Sequence, residues 1–186
     1  MRIDNSRFSQ FVASPERYRL IYEKNYAPRE TPFALARGSH FHKLNEARNK
    51  ALSPTDAKAL LLKNHVSEKA RLSGEALFSS FRRRYDGNSD FALAFDDDKP
   101  LAELEFDLAI PGSKHRIIGA IDEVISYKGE LYIGDTKTAN AKATEAKKKI
   151  EFNQSSQPLF YINAGRMLGY PVQGMLYRVV TEYILL

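Results

Sequence analysis

Along its first half the chain repeats apolar residues at helical spacing, and along its second half it alternates them, so helices should come first and strands after. The first helix is signalled by Ser14-Pro15-Glu16-Arg17, with serine at the N-cap, proline in the first turn and an acid beside it. Tyr18, Ile21 and Tyr22 give that helix an apolar face, and Pro28 and Pro32 end the region. Residues 36–50 and 55–85 keep helical spacing, with Leu62, Val66, Leu72, Leu77 and Phe81 as expected core positions. A break is expected near Ser73-Gly74, and Asp86-Gly87-Asn88 closes the helical half.

From Leu101 to Ile110 the period becomes two, with Leu104, Phe106, Leu108 and Ile110 on one face and Glu103, Glu105 and Asp107 on the other. Pro111-Gly112 turns the chain. Arg116 to Ser126 and Leu131 to Lys137 are two further strand-like runs, joined through Tyr127-Lys128-Gly129-Glu130, which reads as a hairpin loop containing glycine. Three strands in succession with short turns form an antiparallel unit. Ser156 can cap a helix with Pro158 in its first turn, which Gly169 and Pro171 stop. Val172 to Leu186, rich in Val, Tyr, Ile and Leu, reads as a last strand of the same sheet. The fold class is α/β, a mixed sheet packed by helices.

A length of 186 residues allows one compact domain, with 1–88 its mainly helical part and 100–186 its sheet. No repeat or low-complexity tract interrupts it. No apolar run approaches the roughly 18 residues that span a bilayer, and the start MRIDNSRFSQ lacks the apolar stretch of a secretory signal. A cytoplasmic location with no membrane contact is therefore expected. The chain has no cysteine, which excludes disulfides, thiolate zinc sites and iron-sulfur clusters and leaves oxygen and imidazole to hold any metal, as Mg²⁺ or Mn²⁺ require. Its 28 Lys and Arg against 23 Asp and Glu leave a net charge of +5, compatible with a polyanionic partner without requiring one. Arg82-Arg83-Arg84 and Lys147-Lys148-Lys149 concentrate that charge, whereas Asp96-Asp97-Asp98 is an acidic run between structured segments. Each triplet alone is also what a solvated face or loop carries.

Chemistry converges on two strands, IIGAIDEV around Asp122 and YIGDTKT around Asp135. Alternation puts Asp135 and Lys137 on one face two residues apart, and a hairpin pairing brings Asp122 to the same end of the sheet. Two carboxylates suit a hard divalent cation. A lysine beside it can position or deprotonate a water and stabilise the charge on a phosphate under attack. An isolated Asp-x-Lys more often marks a salt-bridged, exposed strand face, but here it ends the largely apolar run Leu131-Tyr132-Ile133-Gly134.

Four segments in order, Gly38-Ser39-His40-Phe41-His42, Gly119-Ala120-Ile121-Asp122, Gly134-Asp135-Thr136-Lys137-Thr138 and Gln157-Pro158-Leu159-Phe160-Tyr161, resemble the motifs of the PD-(D/E)xK nuclease superfamily. Within it they look most like the RecB-type and Cas4-like exonucleases, which show a G-x-x-x-H helix, a G-x-I-D strand, a D-x-K strand and a Q-x-x-x-Y helix. Ser6 to Tyr22 and Val172 to Val180 are similar to that branch's opening segment and closing strand, so the resemblance covers nearly the whole chain. It implies a restriction-endonuclease-like core. It also implies metal ligation by His42, Asp122 and Asp135, with the Thr136 carbonyl a further ligand, and makes Lys137 the catalytic lysine. Gln157 and Tyr161, one helical turn apart, would orient the lysine or a phosphate. An acidic residue of the preceding strand falls on Glu103, with Glu105 competing. His40, His65 and His115 are read as hydrogen-bonded surface groups. Ser14 stands where the iron-sulfur members carry a cysteine, so the resemblance is to a cluster-free member.

The function this implies is a divalent-metal-dependent DNA exonuclease of a bacterium or its phage. Lys147 to Lys149 would contact DNA more than Arg82 to Arg84, and a helicase, recombinase or single-strand-binding partner would supply any unwinding or loading. A catalytically weak DNA-end-binding module and a structure-specific endonuclease are the alternatives, separated by substrate topology.

Overall fold

A computed structural model describes the backbone over residues 2–26, 29–139 and 145–181, and the side chains of these except 89 and 145–148. Its spine is the strand β6, Arg116–Tyr127, the longest of the described strands. One edge of β6 pairs antiparallel with β5 (Ala102–Ala109) and then β2 (Ala92–Leu93). The other edge pairs parallel with β1 (Arg2–Ile3) at Arg116 and Ile117, and antiparallel with β7 (Glu130–Ala139) from Glu123 to Tyr127. β7 in turn pairs parallel with β8 (Gly174–Thr181), so the sheet is mixed, as expected, while β3 (Phe95–Asp96) and β4 (Lys99–Pro100) form a separate antiparallel ribbon. The β6–β7 turn needs φ > 0 at both central residues, 52° at Lys128 and 82° at Gly129, which closes a tight two-residue hairpin.

The β6–β7 ladder stops at Glu123↔Gly134. Asp122 and Asp135, the next residues along, face each other across the point where the strands part. Beyond it β6 stays with β5, and β7 stays with β8. The sheet forks where the two aspartates stand.

Helices cover both faces. α3 (Phe33–Asn49) and α5 (Glu68–Tyr85) bury Phe41, Leu77 and Phe81 against Val180 of β8. α7 (Gln157–Met167) buries Ala164 with Phe106, Ile121, Val124 and Ile133 on the opposite side. Ile121 and Val124 join the same core although strict alternation sends residues three apart to opposite faces, so the pleat slips around Asp122. Across from it Glu103 has φ 51°, a left-handed conformation inside β5.

Several sequence expectations are revised. The helical region breaks at 63–67, between α4 (Pro54–Leu62) and α5, and α5 runs straight through Gly74. A Cβ there would lie 3.1 Å from His40 Cδ2 and 3.2 Å from the Arg37 carbonyl oxygen, so this glycine is a contact between helices, not a stop. Leu77 and Phe81 are core residues, but Leu62 and Leu72 are exposed at 67% and 52%. Ser14 caps α2 (Pro15–Tyr18) as expected, but a helix the sequence did not announce, α1 (Asn5–Ala13), precedes it with Asp4 as its cap. Ser156 stands at the N-cap of α7 with Pro158 in the first turn, as expected, but its hydroxyl makes no capping bond. Its hydroxyl donates to Asn5 Oδ1 at 2.9 Å and bonds Ser9 Oγ at 3.0 Å, tying α1 to α7. A further helix, α6 (Glu145–Asn153), lies where no element was expected. β8 runs to Thr181, and the expected strand residues 182–186 lie outside the described ones.

Candidate active site

α3 brings the first functional side chain. Gly38 lets the helix lie close on β7, since a Cβ there would stand 3.2 Å from Thr138 Oγ1. One turn on, His42 reaches the fork, with Nδ1 3.2 Å from Asp122 Oδ2. Asp135 stands beside them, and ligand atoms of His42, Asp122 and Asp135 all lie within 4.8 Å of one another. Lys137, two residues beyond Asp135, puts Nζ 2.6 Å from Asp135 Oδ2. Asp135 Oδ1 is buried without a hydrogen-bond donor. Orphaned oxygen, a second carboxylate and an imidazole are a donor set that fits a divalent cation.

An open cleft of about 310 Å³ lies over this group, lined by His42, Lys43, Glu46, Glu103, Asp122, Lys137 and Gln157. A smaller recess joins Gln157 and Tyr161 of α7 to Asp122 and Asp135. The sequence-derived residues Asp122, Asp135, Lys137, His42, Gln157 and Tyr161 therefore meet in one place. Of the two candidate acids of β5, Glu103 lines the cleft while Glu105 is exposed. His40 is buried at 2%, not a surface group, with Nε2 3.8 Å from Glu75 Oε1.

Charge in the cleft is crowded. Burial raises the Asp135 carboxyl above the ordinary range, with Lys137 opposing and Asp122 adding to the rise. Burial works in the same direction on Asp122, but His42 and Lys137 hold that carboxyl low. For His42 burial disfavours the charged form, and the Asp122 carboxylate overcomes it, so the imidazole lies above its ordinary value. Burial, with Asp122 and Glu46 nearby, pushes Glu103 up to about 7. Burial and the carboxylates of Asp122 and Asp135 push Tyr161 up to about 12, so at neutral pH it is a hydroxyl donor.

Sequence reading missed Lys43 and Glu46. Glu46 grips Lys43 Nζ at 2.6 Å and Lys50 Nζ at 2.9 Å, holding an ammonium at the cleft wall. The i, i+3 and i, i+4 spacing was visible, but without the fold it reads as a solvated helix face.

The two basic triplets separate. Lys149 is exposed on α6, whereas the side chains of Lys147 and Lys148 lie outside the described residues. α6 is anchored beside the site by Phe152, stacked at 3.9 Å on Tyr177, the β8 partner of Asp135. Arg82, Arg83 and Arg84 end α5, with Arg82 Nε 2.7 Å from Asp86 Oδ2. The edge contacts Tyr85–Phe91 and the stack Phe91–Tyr127 put that end near the hairpin turn, a span of about 17 Å along β6 from Asp122. The arginines do not join the cleft.

Taken together, the forked mixed sheet and its helical layers define an α/β protein of the restriction-endonuclease-like fold. The family model of the PD-(D/E)XK nuclease superfamily matches residues 5–183, and the chain belongs to that superfamily. Membership brings the activity class, nuclease, whose members typically use divalent metals, and His42, Asp122 and Asp135 form a group that could hold one. No curated protein matches the chain. Among the described residues no helix is long and apolar enough to cross a membrane.

Proposed function

We propose that this nuclease is a divalent-metal-dependent DNA exonuclease of the RecB-type and Cas4-like kind. The observation that carries the reading is the meeting of His42, Asp122 and Asp135 with Lys137 at the fork of the sheet. A cation bound there supplies Lewis-acid charge to the phosphate oxygens and acidifies water. His42, Asp122 and Asp135 would hold it, the imidazole favouring Mn²⁺ over Mg²⁺. Lys137 places an ammonium beside the attacked phosphorus, orienting a water and stabilising the charge that builds on the oxygens. Tyr161 and Gln157 present donors from α7 to the same phosphate, and Lys43 offers a second cation on the α3 wall. DNA is the substrate in the cytoplasm of a bacterium, the protein being encoded by the host or by a phage, and a helicase, recombinase or single-strand-binding partner supplies unwinding or loading.

End-labelled linear DNA and covalently closed circles, each with Mn²⁺, Mg²⁺ or EDTA, test this. The linear substrate should lose nucleotides from its ends only with metal, and the circle should persist. Cutting of the circle would make the protein an endonuclease. Binding without any cleavage would make it a DNA-end-binding module.

A further inference from the structure

Behind the cleft, on the side of α3 and α5, lies an ion pair that the proposed chemistry does not use. Glu123 of β6 is 1% exposed and Arg178 of β8 is 5% exposed, and their side chains meet through Arg178 Nη2 and Glu123 Oε1. They cross β7 to do so. Glu123 lies over Gly134, where a Cβ would come within 2.8 Å of Glu123 Cγ, so only glycine leaves the passage open. Arg178 is fixed from above, its guanidinium 5.0 Å from the Phe81 ring centre and 5.4 Å from that of Tyr85. A buried pair of this kind is no source of stability in itself, because apolar residues of similar volume commonly do as well or better.

Its neighbours suggest what it does. Glu123 follows Asp122 in the chain, and the Gly134 beneath it precedes Asp135. Asn49 Nδ2 donates to Glu123 Oε2 at 3.2 Å, and Asn49 lies two turns after His42 on the same stripe of α3. One carboxylate therefore touches every element that carries a proposed metal ligand. It does so at the last rung of the β6–β7 ladder, past which no ladder bond between these strands sets the distance from Asp122 to Asp135.

We propose that the Glu123–Arg178 pair is a positioning clamp that holds Asp122, Asp135 and His42 at the separations one cation needs. The inference rests on reading those three residues as a metal site. The double variant Glu123→Leu/Arg178→Met tests it, since it removes both charges together and leaves neither orphaned. Its metal-free melting temperature should stay near that of the wild type, while the Mn²⁺ dissociation constant, measured by calorimetry, rises about 10- to 100-fold. Val172→Ala, a truncation in the core beneath α7, should do the reverse, lowering the melting temperature and leaving Mn²⁺ affinity unchanged. A folded double variant with wild-type Mn²⁺ affinity overturns the clamp and leaves the metal site standing. A wild-type protein that binds no Mn²⁺ overturns the metal site, and the clamp with it. If the double variant does not fold, Arg178→Lys decides, because it keeps the charge but loses the planar fork. Unchanged Mn²⁺ affinity in that variant overturns the clamp.

Discussion

Lys137 shares one strand face with Asp135, and that parity fixes its direction more firmly than any other feature of the cleft. Replacing it with alanine should leave Mn²⁺ and DNA affinity in place and reduce single-turnover cleavage by roughly 10²- to 10⁴-fold, since its charge matters chiefly in the transition state. A matching loss of DNA affinity would place Lys137 in substrate binding instead. Glu103 makes a different prediction. Its carboxyl is raised from 4.5 to about 7, so between these values the folded state holds a proton that the unfolded chain releases. Stability of the metal-free protein should therefore fall as pH rises through that window and level off above it. Glu103→Gln should lessen this slope in denaturant melts, leaving the part that the raised Asp135 and His42 contribute, and stabilise the protein at pH 8 by on the order of 2 kcal/mol. Strand parity alone sets Glu103 and Glu105 on one face, so the sequence could not choose between them. The choice is made by the left-handed backbone at Glu103, a local irregularity that no periodicity encodes.

At the scale of elements, the β5–β6–β7 unit and the hairpin glycine were legible because each strand follows its partner directly, whereas the slip of the pleat at Asp122 and the left-handed backbone at Glu103 were not. The helical half was legible only in part. Gly74 and its serine neighbour have the composition of a break, yet the glycine serves the crossing of α5 over α3, a fact of packing between distant segments. Leu72 has helical spacing but stays exposed on the outer side of α5. Gly74→Ala tests the packing account directly. Alanine gains up to about 1 kcal/mol of helix propensity, but crowding His40 and the Arg37 carbonyl costs about 1–3 kcal/mol. The variant should melt lower than the wild type, and a higher melting temperature would show that the helices yield. The Glu123–Arg178 pair was beyond any reading of pattern, because its partners lie on strands separated, among the described residues, by β7, α6 and α7.

For the whole molecule, the net charge of +5 acquires a geography. One basic triplet belongs to a helix stacked beside the cleft, and the other sits near the far hairpin. DNA affinity measured against salt in Ca²⁺ should fall with a log-log slope of roughly −0.7 to −0.9 per phosphate neutralised. Replacing Lys147, Lys148 and Lys149 together by alanine should flatten that slope more than the same change at Arg82, Arg83 and Arg84. Equal slopes for the two variants would assign both triplets to solvent.

The fork also sets an order of events in time. The ladders joining β5, β6 and β7 link consecutive strands, so Asp122 and Asp135 can come together early in refolding. His42 must be brought from a distant helix, and Arg178 from β8, by the closing of far larger loops, and both should therefore join late. A nascent sheet thus holds two mutually repelling acids and no imidazole, a poor trap for a cation. In stopped-flow measurements Mn²⁺ should accordingly slow unfolding several-fold and leave the refolding rate nearly unchanged, the kinetic signature of a centre completed after the rate-limiting step.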